Sequence, residues 1–150
     1  MLILDGRTVE GMRRHGGEGY PREVCGLLVG RFEEGTRIRK VWEARPAKNL
    51  DRDRAADRYT LDPVDFRRID EEARGKELEV VGFYHTHPDH PAVPSGRDRR
   101  RAAEIWSSFE SWSYIILEAG KDGIASWRSW VLKGGVFREE PVEIEAEARW

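Results

Sequence analysis

The stretch ELEVVGFYHTH at residues 77–87 restricts this chain more than any other, because it reads as a strand whose last turn of sequence is His-x-His. Side chains at i and i+2 of a strand point to the same face, so His85 and His87 stand side by side at its end. Pro88, Pro91 and Pro94 then stop the strand and stiffen the loop, which lets the chain turn back and present the next helix to the same place. Ser95 and Asp98, three residues apart, share one face of that helix's first turn. The run HTHPDHPAVPSGRD at 85–98 therefore offers His85, His87 and Asp98 as three ligands of one metal ion.

Around this run the pattern is a mixture of strands and helices. Thr8 to His15 reads as a helix that GGEG at 16–19 should stop, and Pro21 restarts the chain. EVCGLLVGRF at 23–32, EEG, and the alternating TRIRKVWEA at 36–44 predict a hairpin. The charged, unpatterned residues 45–58 read as a surface loop. LDPVDFRRIDEEARGK predicts a helix with Asp62 as N-cap, Pro63 at its first position, Val64, Phe66, Ile69 and Ala73 on its buried side, and Gly75 closing it. A further helix is expected from Ser95 to about Trp106, then strands at roughly 111–119, 124–132 and 136–144 separated by GKDG and KGG turns.

Size and composition bound the rest. At 150 residues the chain suits a single domain, 1–150, and its 39% hydrophobic content with six Trp and five Phe is enough for a core. A net charge of -2 provides no overall basic field, so a nucleic-acid partner is not expected. Cys25 is the only cysteine, which excludes an intramolecular disulfide and a multi-cysteine zinc site and is compatible with a reducing compartment. No apolar run approaches the roughly 18 residues of a membrane span, and MLILDGRTVE lacks a signal-peptide layout. A soluble, cytoplasmic protein is the expectation, and oligomeric state is not legible.

Two imidazoles and a carboxylate suit Zn2+ in its catalytic form, one ion per chain with one coordination position left open. Such a site needs a base for the water and a donor for the oxyanion. Ser95 is placed to be the donor, although Ser95 to Asp98 is equally a helix-capping pattern. The base must come from elsewhere, and Glu23 is the candidate, an acid opening an otherwise apolar strand; a salt bridge with Arg22 is the bland alternative.

Glu23, HTH at 85–87, seven residues, and SGRD at 95–98 together resemble the JAMM signature of the MPN-plus metallopeptidases. At this chain's own residue frequencies, a chance match to His-x-His-x7-Ser-x-x-Asp is expected on the order of once in several thousand such chains. The resemblance extends to YPREVCGLLVG at 20–30, RYTLDPVDF at 58–66 and VVGFYHTHP at 80–88. It implies a mixed α/β domain of the MPN-like, cytidine-deaminase-like type, with a central, mainly antiparallel sheet and about three flanking helices. It also implies a zinc hydrolase that cuts after the C-terminal glycines of ubiquitin or a ubiquitin-like protein. His85, His87 and Asp98 then correspond to the zinc ligands, Glu23 to the base and proton shuttle, and Ser95 to the stabiliser of the tetrahedral intermediate.

Compactness points to the small prokaryotic members of that family, with a β-grasp sulfur carrier or small modifier ending in Gly-Gly as the partner. The bond could be an isopeptide, a linear extension or a cysteine adduct. The competing readings are a metal-free MPN-minus scaffold, against which the complete residue set argues, and a RadC-like member, whose loop after the second histidine usually reads differently from PDHPAVP. A zinc deaminase would want paired cysteines. His90 is read as loop surface, because a fourth protein ligand would close the open position, and His15 as an ordinary helix residue. Cys25 is expected in the core. Arg97, Arg99, Arg100 and Arg101 are expected on a solvated face, with guidance of an acidic tail as the functional version. Trp106, Trp112, Trp127 and Trp130 suit either core or a partner surface.

Overall fold

The computed structural model describes residues 1–51, 59–101 and 112–146. Its elements run β1 (Leu2–Asp5), α1 (Gly6–Gly19), β2 (Cys25–Phe32), β3 (Arg39–Ala47), α2 (Pro63–Gly75), β4 (Glu79–Pro88), α3 (Gly96–Arg101), β5 (Ser113–Gly120), β6 (Gly123–Lys133), β7 (Val136–Glu139) and β8 (Val142–Glu145). The strands form one sheet in the order β7-β6-β5-β4-β2-β3-β1-β8. Pairing is antiparallel for β2/β3, β2/β4, β5/β6 and β6/β7 and parallel for β4/β5, β1/β3 and β1/β8. This is the mixed α/β class expected, mainly antiparallel and with three helices among the described residues.

The sheet is buried on both faces. One core, containing Leu27, Val29, Ile69, Phe83, Tyr114 and Leu132, lies under α2. The other, containing Leu4, Met12, Leu28, Tyr84, Ile115 and Ile124, lies under α1. Leu27 and Leu28 fall into different cores because strand side chains alternate. A register shift where Leu28 and Val29 face Gly82 and Val80 resets the alternation in β4, so Phe83, His85 and His87 share the α2 side.

Three sequence expectations are corrected. Helix α1 does not stop at the glycines but runs through them to Gly19, and it starts earlier, capped by Asp5, whose Oδ1 accepts from Thr8 N–H at 2.8 Å. The glycines serve close packing instead: a Cβ on Gly16 would lie 2.9 Å from both Ile124 Cδ1 and Thr86 Cγ2. Val64 on α2 is 72% exposed, whereas Phe66, Ile69 and Ala73 of the expected face meet the α2-side core and Asp65 is buried with them. Asp65 is inward because its Oδ2 accepts the Lys48 N–H at 2.8 Å.

The third correction concerns the single strand expected at 136–144. It is two strands on opposite edges of the sheet, β7 beside β6 and β8 beside β1. Only residues 140 and 141 separate them, a reach of roughly 10 Å, so the sheet curls until its edges meet. Glu140 sits in that seam: its N–H donates to Ser129 O at 2.9 Å, and its carboxylate takes Ser129 Oγ at 2.7 Å and Arg39 at 3.2 Å. Of residues 45–58, the first three continue β3 and Asn49 bridges to Leu61, while 52–58 lie outside the described residues, as do 102–106 of the expected Ser95 helix. The remaining elements fall where expected, including the Asp62 cap and Pro63 start of α2.

Gly82 marks where β4 and β5 come closest: a Cβ there would stand 2.2 Å from Ser113 O, a backbone atom that cannot swing aside. Gly82→Ala is expected to destabilise the protein by about 1–3 kcal/mol in urea unfolding, through overpacking between the two central strands.

Candidate metal centre

The centre lies where β4 ends. His85 and His87 leave the strand on one face with their Nε2 atoms 3.1 Å apart. The loop from Pro88 brings α3 back, and Asp98 Oδ2 lies 3.1 Å from His87 Nε2 while Oδ1 lies 3.3 Å from His85 Nε2. All three residues are buried. Donor atoms at 2.0–2.1 Å from one tetrahedral ion stand about 3.3 Å apart, close to the separation of the two Nε2 atoms and to that of each from an Asp98 oxygen, and Glu23 also lies close enough to both histidines to share a metal ion with them.

The tautomer fits as well. His87 Nδ1 lies 2.9 Å from Pro91 O, an acceptor only, so Nδ1 carries a proton and Nε2 is the nitrogen turned toward His85 and Asp98. Tyr59 stacks on His85 with ring centroids 4.6 Å apart, holding that ring in plane. Asp98 is oriented by Ser95 N–H at 2.8 Å, and Asp98 N–H in turn donates to Ser95 Oγ at 3.0 Å. That reciprocal pair is the capping pattern legible in the sequence, and here it also aims the carboxylate.

Glu23 comes from the other side, just before β2. Val24 N–H donates to Thr86 Oγ1 at 2.9 Å, Thr86 N–H donates to Val24 O at 3.0 Å, and Asn49 Nδ2 holds Glu23 O at 3.0 Å. A Glu23 oxygen therefore lies within 4.8 Å of ring nitrogens of both histidines, near enough to share an ion or a water with them. Its Oε2 is buried and has no hydrogen-bond partner among the described residues, and no ion pair to Arg22 is present there.

The two carboxyls respond oppositely to burial. At Asp98 burial opposes ionisation, but the two imidazoles and the Ser95 N–H outweigh it and hold the group well below the usual range. At Glu23 burial dominates and the pKa is pushed up to about 7. Burial likewise lowers the His85 pKa, against the pull of the Asp98 carboxylate.

The structure thus brings His85, His87, Asp98, Glu23 and Ser95 to one place. His90 is exposed, as expected for loop surface, yet it lines the adjoining cavity. His15 is a residue of α1, as expected, and its Nδ1 lies 2.7 Å from Tyr84 OH, on the α1 side of the sheet. Cys25 is fully buried, with its pKa pushed up to about 12 mainly by burial, so it is an inert thiol of the core. Trp112 and Trp130 pack against the α2-side core and Trp127 against the α1-side core, and Trp130 Nε1 also pins Ala92 O at 3.1 Å, bracing the proline loop; Trp106 lies outside the described residues. Arg101 is not a solvated cation, since its guanidinium covers the Tyr59 ring at 4.6 Å and donates to Tyr59 O. Tyr59, Asn49 and the Pro91 carbonyl were not anticipated. No spacing rule points to them, because their roles depend on segments remote in sequence.

The family model describing prokaryotic homologs of the JAB domain matches residues 6–133, and the chain belongs to that family, a branch of the JAMM/MPN proteins. The desampylase of Haloferax volcanii is 37% identical over 148 residues, covering 96% of this chain and 95% of that protein. A second desampylase, from Pyrococcus furiosus, is 31% identical over 110 residues, covering 73% of this chain and 66% of that protein. The mouse deubiquitinase MYSM1 is 33% identical over 87 residues, 58% of this chain but 10% of that protein. Among solved structures, a protein of Desulfitobacterium hafniense superposes with a TM-score of 0.83 at 29% identity, covering 98% of this chain and 94% of that one. A Salinibacter ruber protein gives 0.72 at 30% identity, covering 95% and 91%.

The elevated Glu23 carboxyl has a consequence for stability. Its folded pKa of about 7 lies above the ordinary 4.5, so its contribution is fully present below pH 4.5 and is lost as pH rises through 7. In chelator-treated protein, Glu23→Gln is therefore expected to raise stability at pH 8 relative to pH 4.5 by on the order of 2–3 kcal/mol in chemical denaturation. Equal effects at both pH values would count against the buried, partnerless carboxyl.

Proposed function

We propose that this JAMM-type enzyme is a zinc-dependent peptidase that hydrolyses the bond after the C-terminal Gly-Gly of a ubiquitin-like or β-grasp sulfur-carrier protein. The observation that carries the reading is the convergence of two Nε2 atoms and one carboxylate within 3.1–3.3 Å, with a second carboxylate beside them that has an oxygen unpartnered among the described residues. The names of its relatives, desampylase and deubiquitinase, support a ubiquitin-like protein as substrate. In this reading His85, His87 and Asp98 hold one zinc ion per chain.

Bound there, zinc supplies a Lewis acid that acidifies water and polarises the scissile carbonyl. Glu23 takes the proton of the attacking water and returns it to the leaving amine, work suited to a carboxyl with a pKa near neutral. Ser95 Oγ accepts from Asp98 N–H, which leaves its own hydrogen free to donate to the developing oxyanion. Asp98 stays ionised throughout, since the imidazoles and the Ser95 N–H hold its proton off. The Pro88–Pro94 segment and Tyr59 keep the imidazoles fixed so that little reorganisation accompanies the reaction.

The deciding experiment uses a β-grasp protein extended past its Gly-Gly terminus, with and without a chelator, alongside elemental analysis. Chelator-sensitive cutting after the second glycine by protein holding about one zinc is expected. Glu23→Ala should retain the zinc and lose at least about a hundredfold in turnover, whereas His87→Ala and Asp98→Ala should lose the zinc itself. Full turnover by Glu23→Ala would remove it as the base, and loss of zinc from that variant would make it a ligand instead.

Because Glu23 must be ionised to accept a proton, activity is also expected to fall as pH drops. A bound cation favours the carboxylate, so the acid limb of kcat/KM should lie at or below the metal-free value of about 7. An acid limb well above pH 7 would contradict this.

A further inference from the structure

A cavity of about 570 Å³ opens beside the centre, and Glu23, His87 and Ser95 are among the residues that line it. The proline loop contributes an apolar stretch of that lining, made by Pro88, Pro91 and Val93. Val93 is 38% exposed, which for a valine standing alone on a surface would be ordinary. Here it is held in place. Its N–H donates to Pro91 O at 2.8 Å, and the same carbonyl oxygen lies 2.9 Å from His87 Nδ1, so a single atom sets Val93 relative to a residue of the metal centre. Between them Ala92 is buried, and its carbonyl is pinned by Trp130 Nε1 at 3.1 Å. The loop therefore keeps an apolar surface open to the cavity, in fixed register with the reacting groups.

We propose that Val93, with Pro88 and Pro91 beside it, packs along the methylene stem of the lysine in an isopeptide, so that the enzyme selects leaving groups by the length of that stem. The proposal rests on the hydrolytic reading above and narrows its substrate. On the acyl side the two residues next to the bond are glycines, which have no side chain to lay against an apolar wall and need little room. A lysine joined through its side-chain nitrogen brings an unbranched apolar stem directly beside the bond, and the cavity volume lies in the range of sites that enclose groups of that size or larger. In the isopeptide that nitrogen is a neutral amide, so Arg97 and Arg100, which also line the cavity, do not repel it. In the reaction, the hydroxyl of water adds to the glycine carbonyl carbon, the C–N bond breaks, and the remaining proton of the water goes to the departing lysine nitrogen.

The test uses the full chain loaded with zinc and three isopeptides that differ only in the stem. In each, acetyl-Ala-Gly-Gly is joined to the side-chain amine of an amino acid blocked at both ends, which is lysine, ornithine or 2,4-diaminobutyrate. Each step along that series removes one methylene, and kcat/KM is expected to fall about two- to fourfold per step. Val93→Ser should flatten the series while zinc content is unchanged, and Val93→Leu, which keeps an apolar side chain there, should preserve it. Lysine and diaminobutyrate compounds cut equally by the parent protein would overturn the proposal, and so would a gradient that is unchanged in Val93→Ser. A Val93→Leu variant as flat as Val93→Ser would mean that the loop is read by shape rather than by apolar contact, which also overturns it. If none of the three is cut, calorimetry on zinc-loaded Glu23→Gln, with and without Val93→Ser, separates the two ideas. Binding that strengthens with stem length and loses that trend in Val93→Ser would keep the stem subsite while the hydrolase reading fails, and equal or absent binding would overturn the subsite.

Discussion

The antiparallel pairing of β2 with β4 is the constraint on which the rest of the structure depends. Its register sets Cys25 opposite His85, so the chain entering β2 runs alongside the end of β4, and the Val24–Thr86 pair of hydrogen bonds closes the ladder there. A one-residue slip would move both histidines to the α1 side, into the position now held by Tyr84 and Thr86. The irregularity at Leu28/Val29 sets this phase, because it is where β4 gains the residue that puts Phe83, His85 and His87 together. Burial of the sheet on both faces makes the register costly to change, which keeps a polar site in place among apolar neighbours.

Within that frame, hydrogen-bond supply rather than residue type divides labour between the two carboxylates. Both are buried beside the same imidazoles. Asp98 has the Ser95 N–H and the two imidazoles against its oxygens and remains an anion, whereas Glu23 has an oxygen without a partner among the described residues and titrates near neutral pH. A fixed anion suits a metal ligand and a titrating one suits a proton carrier. The difference arises from α3, whose first turn supplies the Ser95 N–H, and from the β2 entry, which supplies Glu23 only with support through its backbone.

Much of this was legible in the chain. The His-x-His strand, the hairpin before it, the Asp62-Pro63 helix and the Ser95–Asp98 turn are each specified by local chemistry: alternation, prolines that end or begin elements, and side chains that cap. Where local rules failed, a distant partner decided. Glycines at 16–19 read as a stop and lie inside α1 because Ile124 and Thr86 press against Gly16. Val64 reads as buried and is exposed because Asp65 is drawn inward by Lys48 N–H. The terminal strand splits because Glu140 belongs to the seam between two edges that are far apart in sheet order.

The same division holds for the site. The sequence by itself determined which residue types can act and that His85, His87, Ser95 and Asp98 come together, since all four lie within fourteen residues and one strand, one stiff loop and one helical turn connect them. Only the tertiary structure decided that Glu23 faces them with an oxygen unpartnered among the described residues, and that Tyr59 and the Pro91 carbonyl orient the rings. The physical reason is that a spacing rule encodes contacts within one element or turn, whereas burial, tautomer and charge depend on segments that meet only when the sheet curls and its cores close.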